Sequence, residues 1–164
     1  MPKNDLHPSA QRVAAAAETF GLSIDIVTFV APTRTAEEAA AAIGCTVGQI
    51  VKSLVFTVRD EPVVALVSGK NLLDTRKLAG VFNLGRKQVE RANAETVRAV
   101  TGFAIGGVPP FGHATSPSIF IDEDLIQYEV IWAAAGTPNT VFAIVPDELL
   151  RVTGGRVIDL KSDS

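Results

Sequence analysis

The 164-residue sequence predicts a mixed α/β (α+β) fold, in which short helices flank a curved, mostly antiparallel β-sheet or barrel. Two observations predict this class. Segments rich in β-branched and aromatic residues occur in pairs separated by short turns, a pattern typical of hairpins. Between these pairs lie short segments that begin at helix-capping residues and end near glycine, and this pattern indicates short helices.

The amino-terminal part is predicted to form a helix, a strand and a second helix. The first helix should run from about residue 8 to residue 20 and end at Gly21, and residues 23–30 are rich in the Ile, Val, Thr and Phe that strands favour. Thr35 and Glu38 have the spacing of a capping box, in which Thr35 accepts from the Glu38 amide while the Glu38 side chain reaches back. We therefore predict a short helix after Thr35.

The middle of the chain is predicted to contain a hairpin and two capped helices. Residues 50–58 and 62–68 are two apolar runs around the turn Arg59-Asp60-Glu61. Asp74 is expected to cap a helix up to about residue 82, and Asn93 another up to about residue 100.

The carboxyl-terminal part is predicted to return to strands. Residues 118–122, 129–134 and 141–144 have strand composition, and the last two are joined by a Thr-Pro-Asn turn. Pro146 begins a segment with the residues of a first helical turn, and residues 156–160 are expected to form a final strand.

The composition fits one soluble globular domain over residues 1–164, with 47% hydrophobic and 20% charged residues. No apolar stretch approaches the roughly 20 residues that span a bilayer, and the amino terminus lacks a leucine-rich signal core. A single cysteine, Cys45, excludes an internal disulfide. We therefore expect a cytoplasmic protein without a membrane partner.

Positive charge is concentrated in one stretch of an otherwise acidic chain. The net charge is −3, yet residues 70–98 contain seven basic residues and three acidic ones. Such a basic sector suits a small phosphate footprint, although an ordinary solvated face has the same composition.

A lysine lies inside the first strand of the predicted hairpin. Lys52 shares a strand face with Leu54 and Phe56, where a charge is unexpected. It must either extend its ammonium group to water from the end of the sheet or bind a negatively charged partner. A cation that anchors a phosphate or a polarised oxygen is the simpler functional role, because a base near neutrality would need its charged form destabilised by about 4 kcal/mol.

Two stiff loops could complete a pocket around this cation. The first contains Gly106-Gly107 followed by Pro109-Pro110, which pairs backbone freedom with rigidity and can direct amides at one oxygen. The second runs from Gly136 to Thr140. Without other evidence, an ordinary turn is the default interpretation of each loop.

Other chemistries find little support in the sequence. No GxSxG, GxxxxGK[ST] or GxGxxG motif is present. With only His7, His113 and one cysteine available, a zinc site is not expected, and we predict neither a metal nor a cofactor. His113 follows the Gly/Pro loop, where it could contact a ligand or hydrogen-bond the loop itself.

In their order and spacing, these segments resemble the YbaK/prolyl-tRNA-synthetase-associated domain family of freestanding and inserted editing domains. The resemblance covers nearly the whole chain. It rests on the run from Ile50 to Phe56, on Asp74 to Leu78, on the Gly-x-x-x-Pro loop at Gly106 to Pro110, and on Ala135-Gly136 before the last long strand.

The resemblance implies a compact mixed α/β fold and hydrolysis of the ester between a wrong amino acid and its tRNA, commonly the tRNA for proline. The implied catalytic residues are Lys52, Gly106 and Gly107. The residues that we predict to bind the substrate are Val108, Pro109, Pro110, His113, Gly136, Thr137 and Asn139. The residues that we predict to contact tRNA are Lys70, Arg76, Lys77, Arg86 and Lys87. After Gly136 the chain departs from the family, since Thr137-Pro138-Asn139 stands where many members have a basic pair.

The residues agree with such a reaction because water can attack an activated ester without a serine or cysteine nucleophile. The expected partners are the acceptor end of aminoacyl-tRNA and prolyl-tRNA synthetase. Two alternatives stay open. The same pocket could serve a non-catalytic module that binds a nucleotide, a tRNA end or a protein, or a hydrolase of small aminoacyl esters or amides.

Overall fold

The computed structural model describes residues 5–163, and in that range eight strands and five α-helices are present. The strands are β1 (Ile26–Thr28), β2 (Val51–Val58), β3 (Glu61–Ser68), β4 (Val89–Arg91), β5 (Ser118–Asp122), β6 (Ile131–Ala134), β7 (Thr140–Ile144) and β8 (Arg156–Ile158). The helices are α1 (Pro8–Thr19), α2 (Ala36–Ile43), α3 (Thr75–Val81), α4 (Ala94–Thr101) and α5 (Pro146–Thr153).

The strands form two sheets. One has five strands in the order β4-β2-β3-β5-β8, and the other has three in the order β1-β7-β6. All pairs are antiparallel except β3–β5 and β5–β8, which are parallel. A single bridge between Ile50 and Trp132 links the sheets in the described part of the chain. The predicted mixed α/β class with a mostly antiparallel sheet is confirmed.

The β2–β3 hairpin forms as the sequence predicts. Its register runs from Val51 opposite Ser68 to Val58 opposite Glu61. The turn residues Arg59 and Asp60 have φ values of 49° and 68°. Positive φ at both central residues is the geometry of a two-residue turn that matches the twist of antiparallel strands. The turn is therefore one residue shorter than expected.

Two apolar clusters cover the two faces of the five-stranded sheet. On β2, Val51 and Val55 belong to the cluster that also contains residues of α1, β6 and β7, whereas Phe56 and Val58 belong to the cluster that contains residues of α3. This alternation follows from the period of two along a strand. Because both faces are buried, the central strands are mostly apolar, and Lys52 and Ser53 on β2 are exceptions.

The predicted helix caps are present, with one change at α2. The Thr35 hydroxyl accepts from the Glu38 amide at 3.0 Å, and the side chains of Asp74 and Asn93 cap α3 and α4 in the same way. However, Glu38 reaches back to the amide of Arg34, at 2.9 Å, rather than to that of Thr35. The box is therefore displaced by one residue.

Three strands are at least two residues shorter than the sequence predicts, and one of them is the strand expected over residues 129–134, which is reduced to β6. The expected strand over residues 23–30 is reduced to β1, because its pairing with β7 ends where the chain meets the turn after Gly136. The final strand likewise ends at Ile158. Within residues 5–163, no helix has the length and apolar character needed to cross a membrane.

Candidate active site

A cavity of about 340 Å³ lies beside the first half of β2. Its walls come from the segment before α2, the end of β4, the loop after α4, β6 and the turn before β7. The residues that line it include Arg34, Lys52, Ser53, Arg91, Gly106, Val108, Thr137 and Pro138.

The cavity follows an edge of β2 that β4 leaves uncovered. Pairing between β2 and β4 covers only Phe56–Val58, and one further bond joins the Ala92 amide to the Val55 carbonyl at 3.0 Å. Because backbone groups alternate in direction along a strand, the amide and carbonyl of Ser53 point away from β3, toward the uncovered edge. The Ser53 hydroxyl is buried and has no hydrogen-bond partner among the described residues.

Lys52 lines this cavity as a half-buried cation. Its ammonium group donates a hydrogen bond to the backbone carbonyl of Asn71. Burial lowers the pKa of Lys52, an effect opposed by the carboxylates of Glu37 and Asp122 and assisted by the guanidinium of Arg91. The lysine is thus anchored at one N–H, and its remaining N–H groups are available to a ligand.

Asn71 is itself held by two carboxylates that sequence reasoning did not identify. Its side-chain amide donates to Asp122 and to Asp124, both at 2.8 Å. Asp122 is fully buried and also accepts from the Ser68 amide at 3.0 Å. The hydrogen bond from Asn71 is the main cause of the lowered pKa of Asp124. These two carboxylates could have been identified only from the parallel pairing of β3 with β5, because the carboxyl ends of parallel strands meet at one edge of a sheet. The sequence did not predict that pairing.

The Gly/Pro loop contributes Gly106 and Val108 to one wall of the cavity. Gly106 has φ +90° and lines the cavity, whereas the buried Gly107 packs on the backbone of the turn after Gly136. The Gly107 amide donates to the Ala104 carbonyl at 3.0 Å. Among the described residues, the amides of Gly106 and Val108 make no hydrogen bond. These two amides, together with that of Ile105, which also lines the cavity and makes no hydrogen bond among the described residues, are loop donors that remain for a substrate oxygen.

The other residues predicted in this loop support it from outside the cavity. Pro109 and Pro110 are buried and do not line the cavity. His113 Nε2 donates to the Pro109 carbonyl at 2.7 Å, and burial lowers the pKa of this imidazole. A neutral histidine thus fixes the loop, which is the second of its two predicted roles.

The second loop is a hydrogen-bonded turn, of which Thr137 and Pro138 line the cavity. The hydroxyls of Thr137 and Thr140 are 2.6 Å apart. The Asn139 side chain donates to the Phe29 carbonyl at 3.1 Å and so joins the turn to the chain after β1. Gly136 has φ +101° and packs against the backbone of Ser9.

The predicted tRNA contacts lie outside the cavity lining. Lys77 pairs with Asp159 at 2.9 Å, Arg76 pairs with Asp74, and Lys70 lies over the ring of Tyr128. Arg86 and Lys87 are exposed. Two other arginines, Arg34 and Arg91, line the cavity instead, and neither was among the predicted site residues.

The cavity can bind anions and stabilise negative charge. Among the described lining residues are three cations, Arg34, Lys52 and Arg91, but no carboxylate, histidine or cysteine. A site of this kind contains no protein nucleophile paired with a base. It can instead position a substrate and stabilise an oxyanion by charge and by amides.

A family comparison agrees with this chemistry. Residues 30–152 match the family model described as the aminoacyl-tRNA editing domain. The chain therefore belongs to the aminoacyl-tRNA editing domain family, and the resemblance read from the sequence is confirmed. Aminoacyl-tRNA deacylation, the predicted class of activity, is confirmed at the level of the family.

Individual relatives extend over most of the chain. YwhH of Bacillus subtilis is 30% identical over 141 residues, covering 85% of this chain and 88% of YwhH. EbsC of Enterococcus faecalis, whose name proposes a Cys-tRNA(Pro)/Cys-tRNA(Cys) deacylase, is 33% identical over 127 residues and 76% of each chain. A crystal structure described as a proposed trans-editing enzyme for prolyl tRNA synthetase superimposes with a TM-score of 0.91 at 50% identity, covering 96% of this chain and 99% of that one.

Proposed function

We propose that this protein hydrolyses the ester bond of mischarged aminoacyl-tRNA, and that its substrate is the tRNA for proline carrying a small wrong amino acid. The observation that carries the proposal is the cavity, which combines three cations with apolar walls and has no cysteine, histidine or carboxylate among its described lining residues. An aminoacyl ester is already activated, so a site that only positions it and stabilises charge suffices.

The cavity suits the end of an aminoacyl-tRNA in size and polarity. Its volume of about 340 Å³ lies at the small end of the range for ligand pockets. Val55, Val97, Val108, Ala133 and Val141 supply an apolar wall that favours a small, uncharged amino-acid side chain.

In the proposed reaction, water attacks the carbonyl carbon of the ester and forms a tetrahedral oxyanion. The ammonium group of Lys52 and the free amides of Gly106 and Val108 are the groups that would stabilise this oxyanion or hold the ribose. The bond between the carbonyl carbon and the ribose oxygen then breaks, and the proton lost by water passes to that oxygen through the neighbouring ribose hydroxyl. The products are the free amino acid and uncharged tRNA.

The test is hydrolysis of a panel of mischarged tRNAs by the purified protein. Ester loss is followed over time on tRNA for proline carrying alanine, serine, cysteine or proline, beside the spontaneous rate without protein. We expect acceleration with a small wrong amino acid and little with proline. Binding of charged tRNA without ester loss on any of them would instead support the non-catalytic binding module.

A further inference from the structure

Arg34 and Arg91 line the cavity with no acidic partner. Among residues 5–163, no salt bridge involves either guanidinium, although Lys77, Arg76, Arg151 and Lys161 are all paired. Both arginines are exposed, and Arg91 lies over the ring of Phe56 with its guanidinium carbon 5.6 Å from the ring centre. Stacking on an aromatic ring restricts the guanidinium without consuming its hydrogen-bond donors.

The charges around the cavity favour a ligand with an anionic group. Arg91 is close enough to Lys52 to disfavour its charged form. Glu37 and Asp122 act in the opposite direction on Lys52, but neither lines the cavity, and Glu38 is engaged by the Arg34 amide. An anion bound between these cations would relieve their repulsion.

We propose that Arg34 and Arg91 bind the phosphate on the 5′ side of the terminal adenosine of the substrate. This inference rests on the proposed function, because the reacting ester and that phosphate occupy opposite ends of one ribose. Lys52, Gly106 and Val108 serve the ester end, and the two arginines serve the phosphate end. The planar fork of arginine suits two phosphate oxygens, which a lysine ammonium matches less well.

The proposed contact of Arg34 and Arg91 with this phosphate explains how tRNA can be held although the cations predicted from the sequence to contact tRNA lie outside the cavity. Phosphate contacts fix position and register without reading sequence. Two such contacts at the reacting nucleotide would orient the ester toward Lys52, and the outer cations would affect only more distant parts of the tRNA.

The hydrolytic test compares two esters that differ only in the phosphate. One is alanyl-adenosine, with the amino acid on the 2′(3′) oxygen, and the other is the same ester of adenosine 5′-monophosphate. In the wild type, kcat/KM should be higher for the phosphate-bearing ester. Arg34→Gln and Arg91→Gln should each reduce the ratio of the two kcat/KM values about tenfold. Arg156→Gln, at an exposed arginine on β8 at the far edge of the sheet, is the matched control.

A binding measurement tests the inference even if no ester is hydrolysed. Adenosine 5′-monophosphate should bind the wild-type protein about tenfold more tightly than adenosine, and either glutamine variant should reduce that difference. Its affinity should also fall as salt increases. Equal affinity for the two ligands, or an unchanged phosphate preference in both variants, would overturn the inference. Failure to hydrolyse any ester while this preference is present would overturn only the proposed catalysis.

Discussion

The protein has two positively charged regions that differ in how their charges are compensated. In the cavity, Arg34, Lys52 and Arg91 face a space whose described lining contains no carboxylate. The outer sector is the set of cations that lie outside the cavity lining, namely Lys70, Arg76, Lys77, Arg86 and Lys87. There, Lys77 contacts Asp159 at 2.9 Å and Asp163 at 3.6 Å, and also donates to the carbonyl of residue 161. The cavity cations are therefore available to a ligand, whereas Lys77 secures the chain after β8.

This difference shows that local charge density is a weak guide to a binding site. The sequence stretch from residue 70 to residue 98 is the most basic in the chain, yet of its cations only Arg91 lines the cavity. An ion pair at the surface stabilises the fold little and occupies a cation that would otherwise contact phosphate. Arg34 and Arg91 form no ion pair within residues 5–163, which distinguishes them from Arg76 and Lys77, although Arg86 and Lys87 of the outer sector form none either.

Removal of the cavity lysine should have the largest effect. Lys52→Ala is expected to reduce the rate of deacylation about 10²-fold, or ~2.7 kcal/mol, because the variant lacks one charge-assisted hydrogen bond to the reacting group. Lys52→Arg should also be impaired, since a planar fork does not replace a point charge. The rate constants are measured at saturating mischarged tRNA, and circular dichroism confirms folding.

Lys87→Ala removes the same charge from the outer sector and is the control for that experiment. We expect the control to retain nearly the full rate at saturation. A folded Lys52→Ala protein with wild-type activity would show that the lysine has no part in the reaction. The cavity and the outer sector would then not differ in their importance for activity.

Substitutions of the loop glycines test the geometry of the site without changing its charge. Gly107→Ala places a Cβ 2.8 Å from backbone atoms of Gly136 and Thr137, so the loop and the turn must move apart. We expect a decrease of about 1–3 kcal/mol in unfolding free energy, together with a more than tenfold decrease in activity. The free energy is measured by urea unfolding.

Gly106→Ala is the matched variant in the same loop. A Cβ at Gly106 meets only Pro138 Cγ at 3.9 Å, but φ is +90°. The steric penalty should be about 1 kcal/mol, and activity should fall because the free amides shift. Full activity in both variants would show that this loop is only a turn and has no part in the reaction.

The support of Lys52 can be tested at Asn71, with an intermediate effect. Asn71→Ala removes the amide that joins Asp122 and Asp124, so the carbonyl that accepts from Lys52 is less well positioned. We expect about a tenfold fall in kcat with little change in KM.

Gln127→Ala controls for damage to the carboxylate cluster, because the Gln127 side chain donates to the same Asp124 at 2.9 Å. Its kcat should stay near that of the wild type. Equal decreases in the two variants would indicate general destabilisation of the cluster rather than positioning of Lys52.

The smallest effects are expected in the outer sector. Arg86→Glu combined with Lys87→Glu should weaken tRNA binding a fewfold. The dependence of log K on log salt should also become shallower, by roughly 0.7–0.9 for each phosphate that the variant no longer neutralises. Lys77→Glu should mainly lower the melting temperature, because its partners are Asp159 and Asp163. An unchanged salt slope in the double variant would make Arg86 and Lys87 ordinary surface residues.

Local interactions explain which features could be predicted from the sequence. The caps at Thr35, Asp74 and Asn93 and the β2–β3 hairpin depend on neighbouring residues, and all of them are present in the structure. The position of Lys52 in an apolar strand indicated a cation that either reaches water or binds a negatively charged partner, and the structure places it, half-buried, in the cavity lining.

Contacts between residues far apart in the sequence determined the features that the sequence did not predict. The parallel pairing of β3 with β5 brings Asp122 and Asp124 to Asn71, and the short pairing of β4 leaves an edge of β2 uncovered. Arg34 reaches the cavity from the segment before α2, while Lys77 meets acids more than 80 positions away. Residue order alone therefore predicted the strands and α-helices other than β4, and it identified the unusual lysine. Only the tertiary structure decided that Lys77 is compensated by distant acids and that Arg34, Lys52 and Arg91 meet at one cavity, because these contacts depend on distances in space that residue order does not determine.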